Sequence, residues 1–391
     1  MRFSKSALLI GSLSTASFVC AQQTGTAVAI TPGSAPRTGI IVVRTVVPKA
    51  TCDLPANVGG EVASLPEMVF ARSYNELTCV RHADGKTERL VSPVPNGVSS
   101  DDGSAIAYWN EQTQELHVFL TESKSDQLVE SLPGTKVRNM VWSSKGHLLS
   151  YFPISANRPG IRSFDLDTGQ RNLFQGYFIE VVKAPDSQHV AAVASDGVET
   201  ISMADQKREK AANVKHPASA QYSANGTFLG ILSNESLAAQ NAPPVATASH
   251  AAEDDEPDCG GGSLALILQD VKTGQLRDVP YPKGFDTVLD FSFSPDEKTI
   301  AVTYGVAGCD YPGDRAQIFL VSLPEMKLTL ASPNNWLSVR PVWSPDSKVL
   351  VYSNYSEIGS PLVAFDLATR KITRLTNPGE FGPDEWLGWR Q

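Results

Sequence analysis

A short turn of the Ser-Pro-Asp type recurs six times between β-rich runs, and its spacing leaves few folds open to this chain. The copies are Ser100-Asp101-Asp102-Gly103, Ser143-Ser144-Lys145-Gly146, Ala184-Pro185-Asp186, Ser223-Ala224-Asn225-Gly226, Ser294-Pro295-Asp296 and Ser344-Pro345-Asp346. Successive copies start 43, 41, 39, 71 and 50 residues apart. With the long gap set aside, that is the period of a four-stranded propeller blade, roughly 40–50 residues. The turn has a mechanism: Pro presets φ for a type I turn, and Asp or Asn accepts local backbone hydrogen bonds.

The last unit shows the grammar most fully. Ser338–Trp343 reads as strand a, Ser344-Pro345-Asp346-Ser347 as the turn, Val349–Ser353 as b, Pro361–Leu367 as c and Ile372–Leu375 as d. Degenerate copies run through Met68–Val91 and Ala105–Val129. Asp384–Arg390 resembles another strand a with nothing after it, while Met68–Val91 supplies b, c and d with no a before them. A C-terminal strand that completes the first blade explains both halves and leaves no exposed pairing edge. Setting aside residues 1–58 and a loop insertion at 237–262 leaves 307 residues. At about 44 per blade the expectation is an all-β, seven-bladed β-propeller over 59–391, with six or eight blades as the alternatives.

The first residues carry Arg2 and Lys5, then an apolar run from Ala7 to Val19 and small residues around Ala21. This is the pattern of a secretory signal over 1–21, too short and too rich in Ser and Thr to span a membrane. Ser17-Phe18-Val19 lacks the aliphatic and small residues that precede a lipidated cysteine, so Cys20 does not argue for a lipoprotein. Residues 22–58 read as a flexible leader containing one strand, Ile40–Val47. Periplasmic or secreted localisation follows. The net charge of −9, without any basic run, speaks against nucleic acid and anionic lipid, which need clustered Lys and Arg.

Four cysteines remain after the signal, Cys52, Cys79, Cys259 and Cys309, an even number in an exported chain and too far apart for a zinc knuckle. Three pairings are open. Cys259 sits in the 237–262 insertion and Cys309 in the next b–c connection, on one face of the fold, which favours Cys259 with Cys309 and leaves Cys52 with Cys79.

Phe291–Asp296 followed by Thr299–Val302, and Pro341–Asp346 followed by Asp366–Thr376, resemble the repeat of the TolB-type β-propeller. The resemblance spans about 330 residues loosely and is sharp only in the last two blades. It implies a fold and little about function, because such repeats serve periplasmic scaffolds and the non-catalytic domains of peptidases alike. TolB places an α/β domain before six blades, whereas here about forty mature residues precede the repeats. The TolB partner, a peptidoglycan-associated lipoprotein, is therefore not carried over, and no α/β-hydrolase segment of a propeller peptidase is found.

Motifs for a nucleophile elbow, a zinc protease or a phosphate loop are absent from the sequence. His147 and His189 follow two a–b turns and read as solvated turn residues; Trp142 and Trp343, just before turns, read as inter-blade packing. The acidic run Glu253–Asp258 lacks the alternation of a calcium loop and reads as a solvated charge run. Counting four residues back from each turn lands on Asn96, Asn139, Glu180, Ser219, Asp290 and Arg340, with Trp386 in the same register. These positions begin strand a at the channel mouth, where propeller lactonases hold calcium through Asn, Asp and Glu. By that resemblance Asn139, Glu180 and Asp290 are candidate metal ligands, and Arg340 and Trp386 complete a candidate binding mouth.

The leading expectation is a non-enzymatic binding or scaffold protein that needs no cofactor and meets an envelope or extracellular protein through the loop-rich face. The alternative is a calcium-dependent hydrolase or lyase with its site at the channel mouth. A narrower one is a polysaccharide binder stacking sugars on Trp336 and Trp386.

Overall fold

The computed structural model describes residues 97–154, 160–241, 263–306, 315–332, 337–355 and 361–375, Lys86, and the strands Thr26–Val28, Arg44–Val46, Glu67–Arg72, Leu77–Arg81, Thr87–Val91 and Asp384–Arg390. The chain divides into two units, Met1–Thr51 and Cys52–Gln391. In the first, Arg44–Val46 falls within the expected strand and pairs antiparallel with Thr26–Val28, in the stretch read as leader. The expected signal lies outside the described residues.

Among its described residues the second unit is all-β apart from a four-residue helix, Leu237–Gln240, capped by Ser236. Among the described residues its strands make seven four-stranded antiparallel sheets. Sheet 1 is Asp384–Arg390, Glu67–Arg72, Leu77–Arg81 and Thr87–Val91, so the C-terminal strand takes position a, with Trp389 opposite Met68 and Trp386 opposite Phe70. Sheet 2 is Val98–Ser99, Ala105–Asn110, Glu115–Leu120 and Ser125–Ser131. Sheets 3 to 7 begin with strands a at Lys136–Trp142, Glu180–Val182, Pro217–Tyr222, Thr287–Phe293 and Leu337–Trp343, and each runs a-b-c-d in chain order. No described helix is long and apolar enough to cross a membrane.

The period-2 alternation of a strand holds these sheets together, because successive side chains face opposite neighbours. In strand b of sheet 6, Ile300, Val302 and Tyr304 pack with Leu266 and Leu268 of sheet 5, while Ala301 joins Trp343 and Tyr352 of sheet 7. Strand b of sheet 5 divides likewise: Leu229 and Ile231 join Val193 and Val198 of sheet 4, and Leu232 turns to the sheet 6 side. A strand covered on both faces is largely apolar, and Thr299–Gly305 is buried at every position but its first. Strand d is the outer edge and is less buried; Arg208–Asn213 has one buried residue, Ala212. Each fully buried Ile, Leu or Val contributes about 1.5–3 kcal/mol.

Trp142 and Trp343 are buried between consecutive sheets, as their place before the turn implies. Each indole N–H donates to a carbonyl of an earlier sheet's strand a: Trp142 Nε1 to Val98 O and Trp343 Nε1 to Ser292 O, both at 3.0 Å. The a–b turns are also tied to one another. Ser144 N donates to Ala184 O at 2.8 Å, Asn225 N to Glu297 Oε1 at 2.7 Å, and Asp296 N to Ser347 Oγ at 3.0 Å.

Candidate functional site

Strand a carries an irregularity that recurs where the turn count placed the candidate residues. The pairing steps from Val137↔Pro153 to Asn139↔Phe152 in sheet 3, from Pro217↔Ser233 to Ser219↔Leu232 in sheet 5, and from Val288↔Tyr304 to Asp290↔Thr303 in sheet 6. Each step inserts one extra residue, a β-bulge, which re-aims the side chain that follows. In sheet 7 the shift falls between Val339 and Val342, and Arg340 inside it has φ 57°, a conformation uncommon for a residue with a side chain. Glu180 opens the short strand a of sheet 4 without a bulge.

Four of these side chains act on one another. Asn139 Nδ2 donates to Glu180 Oε1 at 2.7 Å, joining sheets 3 and 4. Asp290 Oδ1 accepts from the backbone N–H of Phe291 at 2.8 Å. Burial pushes the Asp290 carboxyl up to about 6, against the Phe291 N–H and the charge of Arg340, which pull it down; the negative charge of Glu180 adds to the rise. Asp290 keeps partial exposure and is among the residues that line a cavity.

That cavity, of about 550 Å³, runs from Asp290 along Phe291 and Phe293 to Pro295 in sheet 6, with Trp343 and Tyr222 among its other walls. Its walls end at the a–b turns of five sheets, including Ser100, Ser144, Ala224 and Pro345. At that end Lys183 of sheet 4 makes an ion pair with Asp101 of sheet 2, passing over sheet 3. Neither residue stands out in the sequence. They flank turns in different repeats, and no local pattern marks a pair that skips a blade.

The turn after Ser100 holds a second polar cluster. His147 Nδ1 lies 2.9 Å from Asp167 Oδ1, and its Nε2 lies 3.2 Å from both Asp102 Oδ2 and Ser104 Oγ. Burial draws the His147 pKa down, but Asp167 and Asp102 outweigh it and the net shift is upward. Burial raises the Asp102 pKa, but hydrogen bonds from Ser100, Ser104 and His147 bring it down to about 2. His147 is thus an ionic clip between sheets 2 and 3, not the solvated turn residue that its position suggested. His189 does remain local, with Nδ1 3.0 Å from Asp186 of its own turn.

Trp386 lies in the C-terminal strand; nothing of its side chain is described. Cys79 is in strand Leu77–Arg81, and Asn96, Trp336, Cys52, Cys259, Cys309 and Glu253–Asp258 lie outside the described residues. Among the described residues no three His, Cys, Asp or Glu side chains gather in a way that could hold a metal ion.

No family model matches the chain, and no curated protein matches it. Solved structures do. An oligogalacturonate lyase in complex with manganese aligns over 75% of this chain and 83% of its own, at 12% identity and TM-score 0.52. A prolyl endopeptidase aligns over 82% of this chain and 52% of its own, again at 12% identity and TM-score 0.52. TolB from Acinetobacter baumannii aligns over 83% of both chains at 15% identity and TM-score 0.48. The fold is a β-propeller. At these identities the likeness is one of fold alone.

Proposed function

We propose that this chain is an exported, non-enzymatic binding or scaffold protein, a closed seven-bladed propeller that meets an envelope or extracellular protein through the face bearing the b–c loops and d–a connections. The observation that carries this reading is where apolar surface is left uncovered. Among the described residues seven large hydrophobic side chains are exposed, of which Ile154, Tyr177, Ile179, Tyr281 and Val306 sit at b–c or d–a positions, and Tyr177 is 89% exposed. Exposed apolar side chains gathered on one face mark interaction surfaces, and variable loops on a rigid scaffold are where recognition is placed. The opposite face spends its polar groups on turn-to-turn bonds. Seven sheets, with the C-terminal strand paired into the first, support the ring. The signal pattern of residues 1–21 supports periplasmic or secreted localisation, and a Cys259–Cys309 disulfide would tether the insertion on the same face.

The test is cross-linking and recovery of partners from envelope extracts, comparing the parent with a Tyr177→Ser, Ile179→Ser variant. Specific partners should be lost from the variant. Undiminished recovery, or loss on changing Asp296 and Asp346 of the other face instead, overturns the assignment. Binding of soluble glycans in place of protein would point to the polysaccharide reading.

A calcium-dependent hydrolase or lyase remains the second reading, because Glu180 and Asp290 act electrostatically on one another. The donor set fits it poorly: Asn139 and Glu180 are bonded to each other, and a hard cation wants six to eight oxygens. Calcium binding lost on Asp290→Ala, together with hydrolase or lyase turnover, would favour it over the scaffold.

A further inference from the structure

Each outer strand d pairs with strand c on its inner side and, among the described residues, with no strand on the other. Such an edge offers unpaired N–H and C=O groups to a strand of another chain, and proteins blunt it with Lys, Pro, bulges or a covering segment. Ser125–Ser131 of sheet 2 is the longest of these strands and the least defended by its own residues. It contains no Lys, Arg or Pro, its first four residues are exposed, and Leu128 is 48% exposed. The nearest lysine, Lys124, lies in the turn before it. Its two acids are engaged elsewhere: Asp126 with His117 and the Tyr108 hydroxyl, Glu130 with Arg162 and the Tyr151 hydroxyl. By contrast, Arg208–Asn213 of sheet 4 carries Arg208 and Lys210 within the strand.

What defends this edge comes from the next sheet. The pairing steps from Leu116↔Glu130 to His117↔Leu128, so Val129 is an extra, bulged residue with no partner in strand c. Its carbonyl accepts from Arg171 of sheet 3, from Nε at 3.2 Å and from Nη2 at 3.0 Å. The guanidinium carbon lies 5.0 Å from the centre of the ring of Phe164, the residue opposite Arg171 in its own sheet, and the stacking holds the planar fork in place. The device recurs. In sheet 4 the bulged Ala211 accepts through its carbonyl from Gln269 Nε2 of sheet 5 at 3.0 Å. In sheet 6 Leu330 O accepts from Arg370 Nη2 of sheet 7 at 2.7 Å, with Arg370 stacked 5.6 Å from the centre of Phe365. We infer that Arg171 guards the outer edge of sheet 2 against strand addition by a second copy of this chain. It occupies an acceptor that the bulge leaves open and sets a fixed cation at an edge that has none of its own. A second copy is the occupant to be excluded because strand addition needs only backbone groups, and every copy presents the same seven-residue strand.

Sedimentation velocity of the full mature chain over a concentration series tests this, with hydrogen exchange locating the contact. Arg171→Met keeps an apolar stem beside Phe164 and removes the donors; it should self-associate at a concentration at least about tenfold below the parent, with the amides of Ser125–Ser131 slowing as it does. Adding Gln127→Lys, a cation on the exposed part of the same strand, should return it to parental behaviour without restoring Arg171. Gln269→Leu uncovers the Ala211 carbonyl of sheet 4 and should stay parental, because Arg208 and Lys210 remain on that edge. Should Arg171→Met not fold, Arg171→Lys serves: it keeps the charge, loses the fork and the stacking, and should still associate more readily than the parent. An Arg171 variant that folds and stays monomeric as far as the parent does, association that Gln127→Lys leaves unchanged, or equal association of Gln269→Leu overturns the inference. Partner recovery through Tyr177 and Ile179 is a separate measurement on a different surface, so the two readings fail separately.

Discussion

Asn139 and Glu180 stand 41 residues apart, one repeat, and the amide of the first donates to the carboxylate of the second at 2.7 Å. The bond links strand a of sheet 3 to strand a of sheet 4 and fixes the charge that Asp290 feels. Replacing Glu180 by Gln removes a negative charge that raises the Asp290 pKa, so the Asp290 midpoint should move down. Carboxyl-carbon NMR titration of the parent and Glu180→Gln reads this directly. An unmoved or higher midpoint would show that the two carboxylates are not coupled.

Asp290 also ties stability to pH. Its pKa is raised in the folded chain, from 3.8 to about 6, so its neutral form is favoured by folding. The contribution is fully present below about pH 4 and is lost as pH rises through about 6, amounting to roughly 2–3 kcal/mol. Asp290→Asn should therefore gain stability relative to the parent between pH 4 and pH 7, and the gap should stay constant above that. Urea midpoints measured across the range check it; a gap that does not change with pH contradicts the buried carboxylate.

Trp343 tests how much one inter-sheet anchor contributes. It is 4% exposed and packs with Leu350, Tyr352 and Phe365 while donating to Ser292 O. Trp343→Phe keeps most of the packing and leaves a buried carbonyl without its donor, a loss of about 1–3 kcal/mol. Trp343→Ala adds a cavity and should lose about 3–5 kcal/mol. Equal losses for the two in denaturant unfolding would mean that the hydrogen bond, and not the packing, carries the anchor.

The repeat was legible because its turns and strands obey local rules. Strand a was expected over Ser338–Trp343 and is found at Leu337–Trp343, and strand b over Val349–Ser353 is found at Val349–Tyr355. The pairing of Asp384–Arg390 with Glu67–Arg72 was likewise visible, as a strand a and a b-c-d set that each lacked the other. The register of Asn139, Ser219 and Asp290 could be counted from the turns, but the bulges that aim them could not, because no Gly or Pro marks Arg138 or Leu289. What the residues withheld are contacts between distant repeats. Asp101–Lys183 spans 82 positions, and His147 meets Asp102 across 45.

His147 should make the contact between sheets 2 and 3 sensitive to pH on both sides. Its folded pKa is raised above 6.5 by Asp167 and Asp102 despite burial, so its share of stability is complete below pH 6.5 and lost as pH climbs through the raised value. The Asp102 pKa is depressed to about 2, so that share is complete above pH 3.8 and lost as pH falls through about 2. The clip is therefore strongest between about pH 4 and pH 6.5. His147→Gln should be most destabilising in that window, by about 1 kcal/mol for a half-exposed pair, and nearly neutral at pH 9. A flat difference between parent and variant melting temperatures from pH 5 to pH 9 would show that the imidazole is not charged there.

The C-terminal strand offers the strongest test of how the sheets are joined. Asp384–Arg390 pairs along the whole of Glu67–Arg72, from Arg72↔Asp384 to Glu67↔Arg390. Removing residues 384–391 uncovers one edge of sheet 1 and takes strand a from between sheets 7 and 2, and exposed edges invite pairing with other chains. If the sheets form a closed ring, the loss spreads through every inter-sheet contact, and the shortened chain should melt well below the parent and associate on concentration. If they stack as an open array, the loss stays in sheet 1, because such arrays gain stability from nearest neighbours. Calorimetry together with light scattering separates the two. A shortened chain that keeps the parental melting temperature and stays monomeric would rule out closure through this strand.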